Sequence, residues 1–380
     1  MIFYLVFFGI YFSGNLYVFI RGWQALPGLS AVRLAYSLLF WLLAISFMIS
    51  RLTGKENYFG IHHVSTWIGS YWLITVLYFF FVVFIIDIVR LANIPFHFLP
   101  ESGSFAYAQL KSWTFIGIVT TVCLLVTAGS YNARQIKINR IQLKISKEGG
   151  KFSKLRIAMA SDIHLGTLIH DRRLSQLVQT INQEKPDIIL FPGDILDEEL
   201  SPIIREDIGK PLRNLNAPLG IWAVPGNHEY IGNYERASAY LKTLNINLLK
   251  DSFALIHNSF YLLGRDDRDA SRFNGIQRKE LKELMYNIDL SKPIVLLNHQ
   301  PYNLQESVDN KIDLQLSGHT HHGQFWPFNL LTSRIFEVSQ GYLQKGNFQI
   351  YVSTGFGTWG PPVRLGNHPE IVILEIDFGH

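Results

Sequence analysis

Hydrophobic positions are spread unevenly along the chain. Before about residue 132 they form four long, nearly unbroken apolar runs, at residues 2–20, 31–50, 65–89 and 112–131. At about 1.5 Å of rise per residue, each is long enough to cross a hydrocarbon core of about 30 Å as a helix. None leaves the polar face that a helix of a soluble bundle needs. Arg21, Arg51, Arg90 and Lys111 stand at the flanks, with tryptophan and tyrosine near several ends, as interfacial anchoring requires. The pattern predicts a membrane region of four α-helical spans over residues 1–132. The first run has no basic leader and no small-residue cleavage site, so it reads as a span and not as a signal peptide. Asp87 lies three residues before Arg90 and reads as an interfacial carboxylate paired with that neighbour. His62 and His63 read as facing the interface.

After residue 132 the pattern changes. Residues 133–153 form a basic juxtamembrane segment in which Ile136, Ile138, Ile141, Leu143 and Ile145 nearly alternate with polar residues, the signature of a half-buried strand. From residue 154 to 380, short apolar runs rich in β-branched residues alternate with amphipathic stretches. Strands are predicted at residues 156–162, 187–194, 220–229, 260–267, 293–300, 314–321, 350–357 and 370–378, with a helix around residues 172–184. Strands interleaved with helices predict a layered α/β domain.

Composition adds three constraints. The net charge of +4 is modest and gives no reason to expect a nucleic-acid partner. The single cysteine, Cys123, excludes an intrachain disulfide and a cysteine-based zinc site. Within residues 132–156, eight basic residues (from Arg134 to Arg156) face one acid, Glu148. Such a cluster next to a span favours the cytoplasmic side and can hold a domain against anionic lipid headgroups. The protein is therefore expected to be integral to the plasma or inner membrane, with the second domain on the cytoplasmic face and membrane lipids among its partners.

Candidate chemistry gathers where predicted strands end, the usual place for a site in an open α/β sheet. One strand is followed by Asp162 and His164, another by Asp194, a third by Asn227, His228 and Glu229, a fourth by His299, and a fifth by His319, Thr320 and His321. Taken singly, these are an Asx-capped turn, loops and a core histidine. Together they read as one metal site with seven nitrogen or oxygen donors: Asp162, His164, Asp194, Asn227, His299, His319 and His321. One ion cannot use seven ligands and leave room for substrate, but two ions sharing a carboxylate can. The donor set suits Mn, Fe or Zn and argues against calcium or magnesium alone. Two ions about 3.5–4 Å apart can clamp the attacking and leaving oxygens of a phosphoryl displacement. In an extended segment alternate residues share a face. His319 and His321 are then the working pair of GHTHH, and His322 is a bystander.

The ordered set D-x-H, G-D, G-N-H-E, H and G-H-T-H, from about residue 154 onward, resembles the calcineurin-like metallophosphoesterase superfamily. The tail GFGTWGPPVRLGNHPEIVIL is similar to its membrane-associated branch. The resemblance implies two β-sheets sandwiched between helices. It implies one divalent metal held by Asp162, His164 and His321, a second held by Asn227, His299 and His319, and a bridge at Asp194. His228 is implied as the catalytic group that protonates the leaving oxygen or stabilises the phosphoryl transition state. Arg364, in the Pro-stiffened loop at residues 360–366, is a candidate substrate-phosphate contact, with a surface ion pair as the alternative. The expected activity is hydrolysis of a phosphodiester or pyrophosphate in a lipid-linked or amphipathic substrate. The alternatives are a tethered phosphomonoesterase or nucleotide phosphodiesterase, and a transporter or sensor regulated by its metal domain. Few charges lie inside the runs and no internal repeat is visible, which gives a transport pathway little support.

Overall fold

The computed structural model describes residues 2–52 and 60–379, which fall into two compact units, Met1–Tyr131 and Asn132–His380. The first unit is helical: α1 (Ile2–Ala25), α2 (Ser30–Leu52), α3 (Ile61–Phe96) and α4 (Phe105–Asn132). All four are long and apolar enough to cross a membrane, and each outruns the apolar stretch that predicts it, because helix continues into the polar flanks. Val18, Phe40, Ala44, Trp72 and Val76 form its small core, while residues such as Ile10, Leu38, Leu42 and Ile85 stay exposed. α2 and α3 approach closely at Gly69, where a Cβ would lie 2.6 Å from the Phe47 Cα. The buried Trp72 indole donates to Asn15 Oδ1 at 2.9 Å. Asp87 has more partners than expected: besides Arg90 at 3.3 Å, it meets Arg21 at 2.8 Å and the Tyr17 hydroxyl at 2.6 Å. His62, expected at the interface, is buried.

The second unit is built on two six-stranded sheets. The strands in chain order are β1 (Lys137–Glu148), β2 (Lys154–Met159), β3 (Ile188–Pro192), β4 (Ile221–Val224), β5 (Asn247–Leu248), β6 (Ser252–Ile256), β7 (Phe260–Gly264), β8 (Ile294–Leu297), β9 (Leu314–Ser317), β10 (Gly341–Lys345), β11 (Phe348–Val352) and β12 (Glu370–Gly379). The first sheet runs β1-β12-β2-β3-β4-β5 and the second β10-β11-β9-β8-β7-β6. Leu155, Ile157, Ile188 and Leu190 of one sheet meet Val295, Leu297, Leu314 and Leu316 of the other in a single sealed cluster. Each such fully buried side chain contributes about 1.5–3 kcal/mol. A second cluster, with Leu263, Leu296 and Ile350, covers the outer face of the second sheet. The α5 helix (Asp171–Gln183) buries Leu174, Leu177, Val178 and Ile181, the positions its spacing predicts.

The basic segment is an edge strand of the first sheet. β1 pairs in parallel with β12 over Lys137–Ile145. Its inward residues Leu143 and Ile145 are buried, Lys137 and Lys144 are exposed, and Lys147 pairs with the buried Asp313 at 2.7 Å. β2, β3 and β4 are parallel neighbours, as are β8 and β9, so their carboxyl ends open side by side.

Candidate metal centre

The residues singled out in the sequence come together at these strand ends. Ligand atoms of Asp162, His164 and His321 lie within 4.8 Å of one another, and so do those of Asp194, His299 and His319. His164 Nε2 is 3.1 Å from His321 Nε2, which lies 3.5 Å from Asp162 Oδ1. His319 Nδ1 is 3.1 Å from Asn227 Oδ1, and His299 Nε2 is 3.2 Å from Asp194 Oδ2. Asp194 Oδ2 is also 3.9 Å from His164 Nε2, so this carboxylate stands between the two groups.

Sharp backbone turns set this arrangement. Asp162, His164, Asp194, His319 and His321 all have positive φ, between 44° and 71°. β2, β3 and β9 therefore run into left-handed residues that swing donors inward, a conformation that Asp, Asn and His tolerate better than most. GHTHH is thus not extended, and alternation is not what parts its histidines. His319 goes to Asn227, His321 to His164, and His322, also left-handed, turns its Nδ1 to the Ser339 hydroxyl at 2.8 Å. Gly193 has φ +88°, and a Cβ there would lie 2.5 Å from His299 Nδ1. Only glycine satisfies both conditions.

The charge state of the site suits cations. Burial lowers His164 to about 4, helped by the charge of His228. Burial and His299 lower His319 to about 3. Burial, with His164 and Arg364 beside it, holds His321 well below its ordinary value. Burial thus favours the neutral, metal-binding form of all three imidazoles. Burial also disfavours charge on His299, but the Asp194 carboxylate outweighs it and keeps that imidazole well above its ordinary value. His299 Nδ1 lies 2.7 Å from the Pro192 carbonyl, so Nδ1 donates there and Nε2 is aimed at Asp194. The buried Nε2 has no well-aligned hydrogen bond. A cation beside Asp194 would replace the proton at that atom. An orphaned buried nitrogen, neutral imidazoles and an all-nitrogen-and-oxygen donor set fit divalent first-row metals.

Three further residues matter to which the sequence assigns no role. Asp197 Oδ1 is 3.1 Å from His228 Nδ1. Burial opposes charge on His228, but the Asp194 carboxylate and the Asp197 hydrogen bond outweigh it and push the imidazole up to about 10. Glu229 is a buried clamp whose two oxygens accept the backbone N–H groups of Asp194, Ile195, Leu196 and Gly226 at 2.7–3.1 Å. It locks two ligand-bearing turns together. Asn367 donates to the His321 carbonyl at 2.8 Å. For Asp197 and Glu229 the signal was in GDILD and GNHE, carboxylates one turn from a ligand; for Asn367 there was none. Asp266 and Asp267 act as supports, accepting from the Tyr230 hydroxyl and the Gln300 amide.

Arg364 lies elsewhere than on the expected surface loop. It is 0% exposed, and its guanidinium donates to the Gly355 and Gly357 carbonyls at 3.1 and 2.6 Å and to Asn367 Oδ1 at 2.9 Å. It braces the loops behind His321, 3.4 Å from that ring's Nδ1, with no surface on which to meet a substrate.

Residues 155–323 match the family model described as calcineurin-like phosphoesterase. An "uncharacterized metallophosphoesterase" of Aquifex aeolicus is 33% identical over 259 residues, covering 67% of this chain and 97% of the relative. A Helicobacter pylori protein of the same description is 32% identical over 305 residues, 78% of this chain and 80% of the relative. A "transmembrane protein with metallophosphoesterase domain" of Bos taurus is 32% identical over 274 residues, 68% of this chain and 60% of the relative.

Proposed function

This chain belongs to the calcineurin-like metallophosphoesterase family, and from that premise we propose that it hydrolyses a phosphodiester or pyrophosphate bond in a lipid-linked or amphipathic substrate, using two divalent metal ions. Membrane association and metal-dependent phosphoester hydrolysis follow from the family and the four apolar helices. The finer reading is supported by one observation: donors of two groups, His164 in one and His299 and His319 in the other, stand around the single carboxylate Asp194.

In this reading Asp162, His164 and His321 would hold one ion and Asn227, His299 and His319 the other, with Asp194 available to both. Manganese, iron and zinc suit the donors. Bound there, the ions would supply positive charge for the phosphoryl oxygens and bring the pKa of water from about 15.7 towards neutrality. The protein's own residues do the rest. His228 presents a protonated imidazole beside His164, with ring centroids 4.5 Å apart, and gives its Nε2 proton to the departing oxygen. Asp197 fixes the Nδ1 side of that ring, so its orientation persists while the Nε2 proton leaves and the ring becomes neutral. Glu229 keeps Asp194, Asn227 and His228 in register, because it binds the turns that carry them. The basic residues after α4 favour the cytoplasmic face for this unit.

The test is hydrolysis by the detergent-solubilised full chain with Mn²⁺, on bis-p-nitrophenyl phosphate, its monoester, and a panel of lipid and nucleotide phosphoesters. Turnover of diester and lipid esters above monoester supports the reading. Preference for the monoester or for nucleotides moves the assignment to a tethered phosphomonoesterase or nucleotide phosphodiesterase. Inactivity on every ester with metals bound sinks it.

A further inference from the structure

The GHTHHGQ turn continues into a segment with several exposed apolar side chains. Trp326 is 58% exposed, and the following helix, Phe328–Ile335, has no buried residue at all. Leu330, Leu331 and Ile335 stand out from it into solvent. A second tryptophan, Trp359, is 57% exposed and is tied to the first by Gln324. That amide accepts the Trp359 N–H at 2.8 Å and donates to the Trp359 and Pro361 carbonyls at 3.1 and 3.0 Å. Gln324 is also two residues before Trp326, so one side chain fixes both loops.

This apolar rim is part of the metal-site wall. Phe336, which ends the helix, lies with its ring centroid 6.1 Å from His319. At the other end, Trp326 N–H donates to the Leu365 carbonyl at 2.7 Å. Residues 364–367 in turn hold the point where the chain enters this unit: Asn132 Nδ2 donates to the Arg364 and Asn367 carbonyls at 2.9 and 2.7 Å. Asn132 is the last residue of α4, an apolar helix of membrane-crossing length. Within this unit the rim is thus linked, through residues 364–367, to Asn132, where the chain continues from α4.

We propose that Trp326, Trp359 and the Leu330–Leu331–Ile335 face form a bilayer-docking surface that sits in the headgroup–acyl boundary beside the metal site. Tryptophan prefers that boundary because its ring is apolar and its N–H stays wet. A short helix with exposed leucines buries its apolar side a few ångströms into the same layer. In water the same side chains would form a lasting apolar patch, which soluble surfaces avoid. Docked, the rim brings the site mouth to the depth at which the ester of an amphipathic lipid lies. This inference rests on α1–α4 as spans and deepens the substrate reading above.

The test is a depth measurement on the full chain in phosphatidylcholine–phosphatidylglycerol vesicles. The only native cysteine is removed by Cys123→Ser, and a nitroxide is attached at Leu331→Cys or, as an exposed control on the helix Tyr234–Thr243, at Lys242→Cys. At 331, collisions with oxygen are expected to exceed those with a water-soluble nickel chelate; at 242 the order reverses. A 331 label as open to the chelate as 242 overturns the proposal. So does a 331 label shielded from both reagents, which would assign the face to a second copy or another protein. The readout needs no turnover, so an inactive chain with a lipid-embedded 331 label would refute the substrate reading and leave the docking surface standing.

Discussion

Replacing Asp197 by asparagine gives a sharp test of the proposed proton donor. The substitution keeps an oxygen able to accept the His228 Nδ1 proton, currently 3.1 Å away, and removes only the charge. A charge-assisted hydrogen bond is worth about 1.5–3 kcal/mol and a neutral one about 0.5–1.5 kcal/mol. The loss is therefore about 1–1.5 kcal/mol. The Asp197 side chain keeps 39% of its surface in solvent, and that screening puts the loss at the lower end. At about 1.4 kcal/mol per decade, kcat should fall by roughly tenfold or less. His228→Ala, which removes the donor, should cost about 10²–10⁴-fold.

The pH profile carries more information than the rate. Burial opposes the His228 charge, while Asp194 and Asp197 raise the imidazole to about 10. Cations at Asp194 would take over that carboxylate's charge and leave Asp197 as the main support. Asp197→Asn should then lower the His228 pKa. Because the protonated form is the active one, the alkaline limb of kcat should move to lower pH. The assay is bis-p-nitrophenyl phosphate hydrolysis over pH 6–10 (a range of about the His228 window), with metal content measured on the same samples. An unmoved alkaline limb with an unchanged kcat would refute the dyad; loss of metal would make Asp197 a ligand instead.

Four other outcomes are expected. His319→Ala and His321→Ala should each lose bound metal and activity, while His322→Ala, which gives up only its Ser339 contact, should keep both; metal analysis and turnover decide. Glu229→Gln leaves two of four buried N–H groups without an acceptor, at about 1–3 kcal/mol each, so thermal unfolding of the purified chain should show a large fall in Tm. At Gly318→Ala the new Cβ would fall on Ser161 Oγ and Asp162 Oδ2, so metal affinity should drop in a titration while the far-ultraviolet spectrum stays native. Chelation of the wild-type chain should abolish turnover and lower Tm, because the ions bind the folded site and not the unfolded chain.

The large-scale organisation was legible because it depends on long-range averages of hydrophobicity. Four apolar runs had to become helices, and the β-branched runs from residue 156 had to become strands. The donors that the structure brings together were legible because they recur at strand ends in a fixed order. Pairing was not: nothing local says that β12 inserts between β1 and β2, parallel to one and antiparallel to the other. Arg364 misled for a related reason. A Pro-Gly-rich loop with one arginine looks solvent-exposed, yet here the arginine fills the interior and substitutes for backbone partners that an irregular loop lacks. β6 and β10 were also missed: Phe253, Leu255 and Tyr342 stand on their exposed positions, so the half-buried pattern is weak.

His319 and His321 reach two different donor groups by a geometry that extended alternation does not give. Extended alternation would send both side chains to one face and so to one ion. The backbone is instead left-handed at His319, His321 and His322, and each turn re-aims the next side chain. That is why His319 meets Asn227 while His321, two residues on, meets His164. Left-handed backbone at a residue other than glycine costs on the order of 1 kcal/mol, and five of the seven metal-ligand candidates carry it. The surroundings must hold these turns against that cost. They do so with side chains accepting from the turns' own backbone: Glu229 from Asp194, Ile195 and Leu196, and Asp162 from the His319 N–H at 2.9 Å. In this site the carboxylates position backbone, besides the oxygen that Asp162 and Asp194 would offer to metal in the proposed reading. Loss of one should therefore disturb the partner turn as well as its own donor atom, which sets Asp162 and Asp194 apart from ligands such as His164 that deliver only a nitrogen.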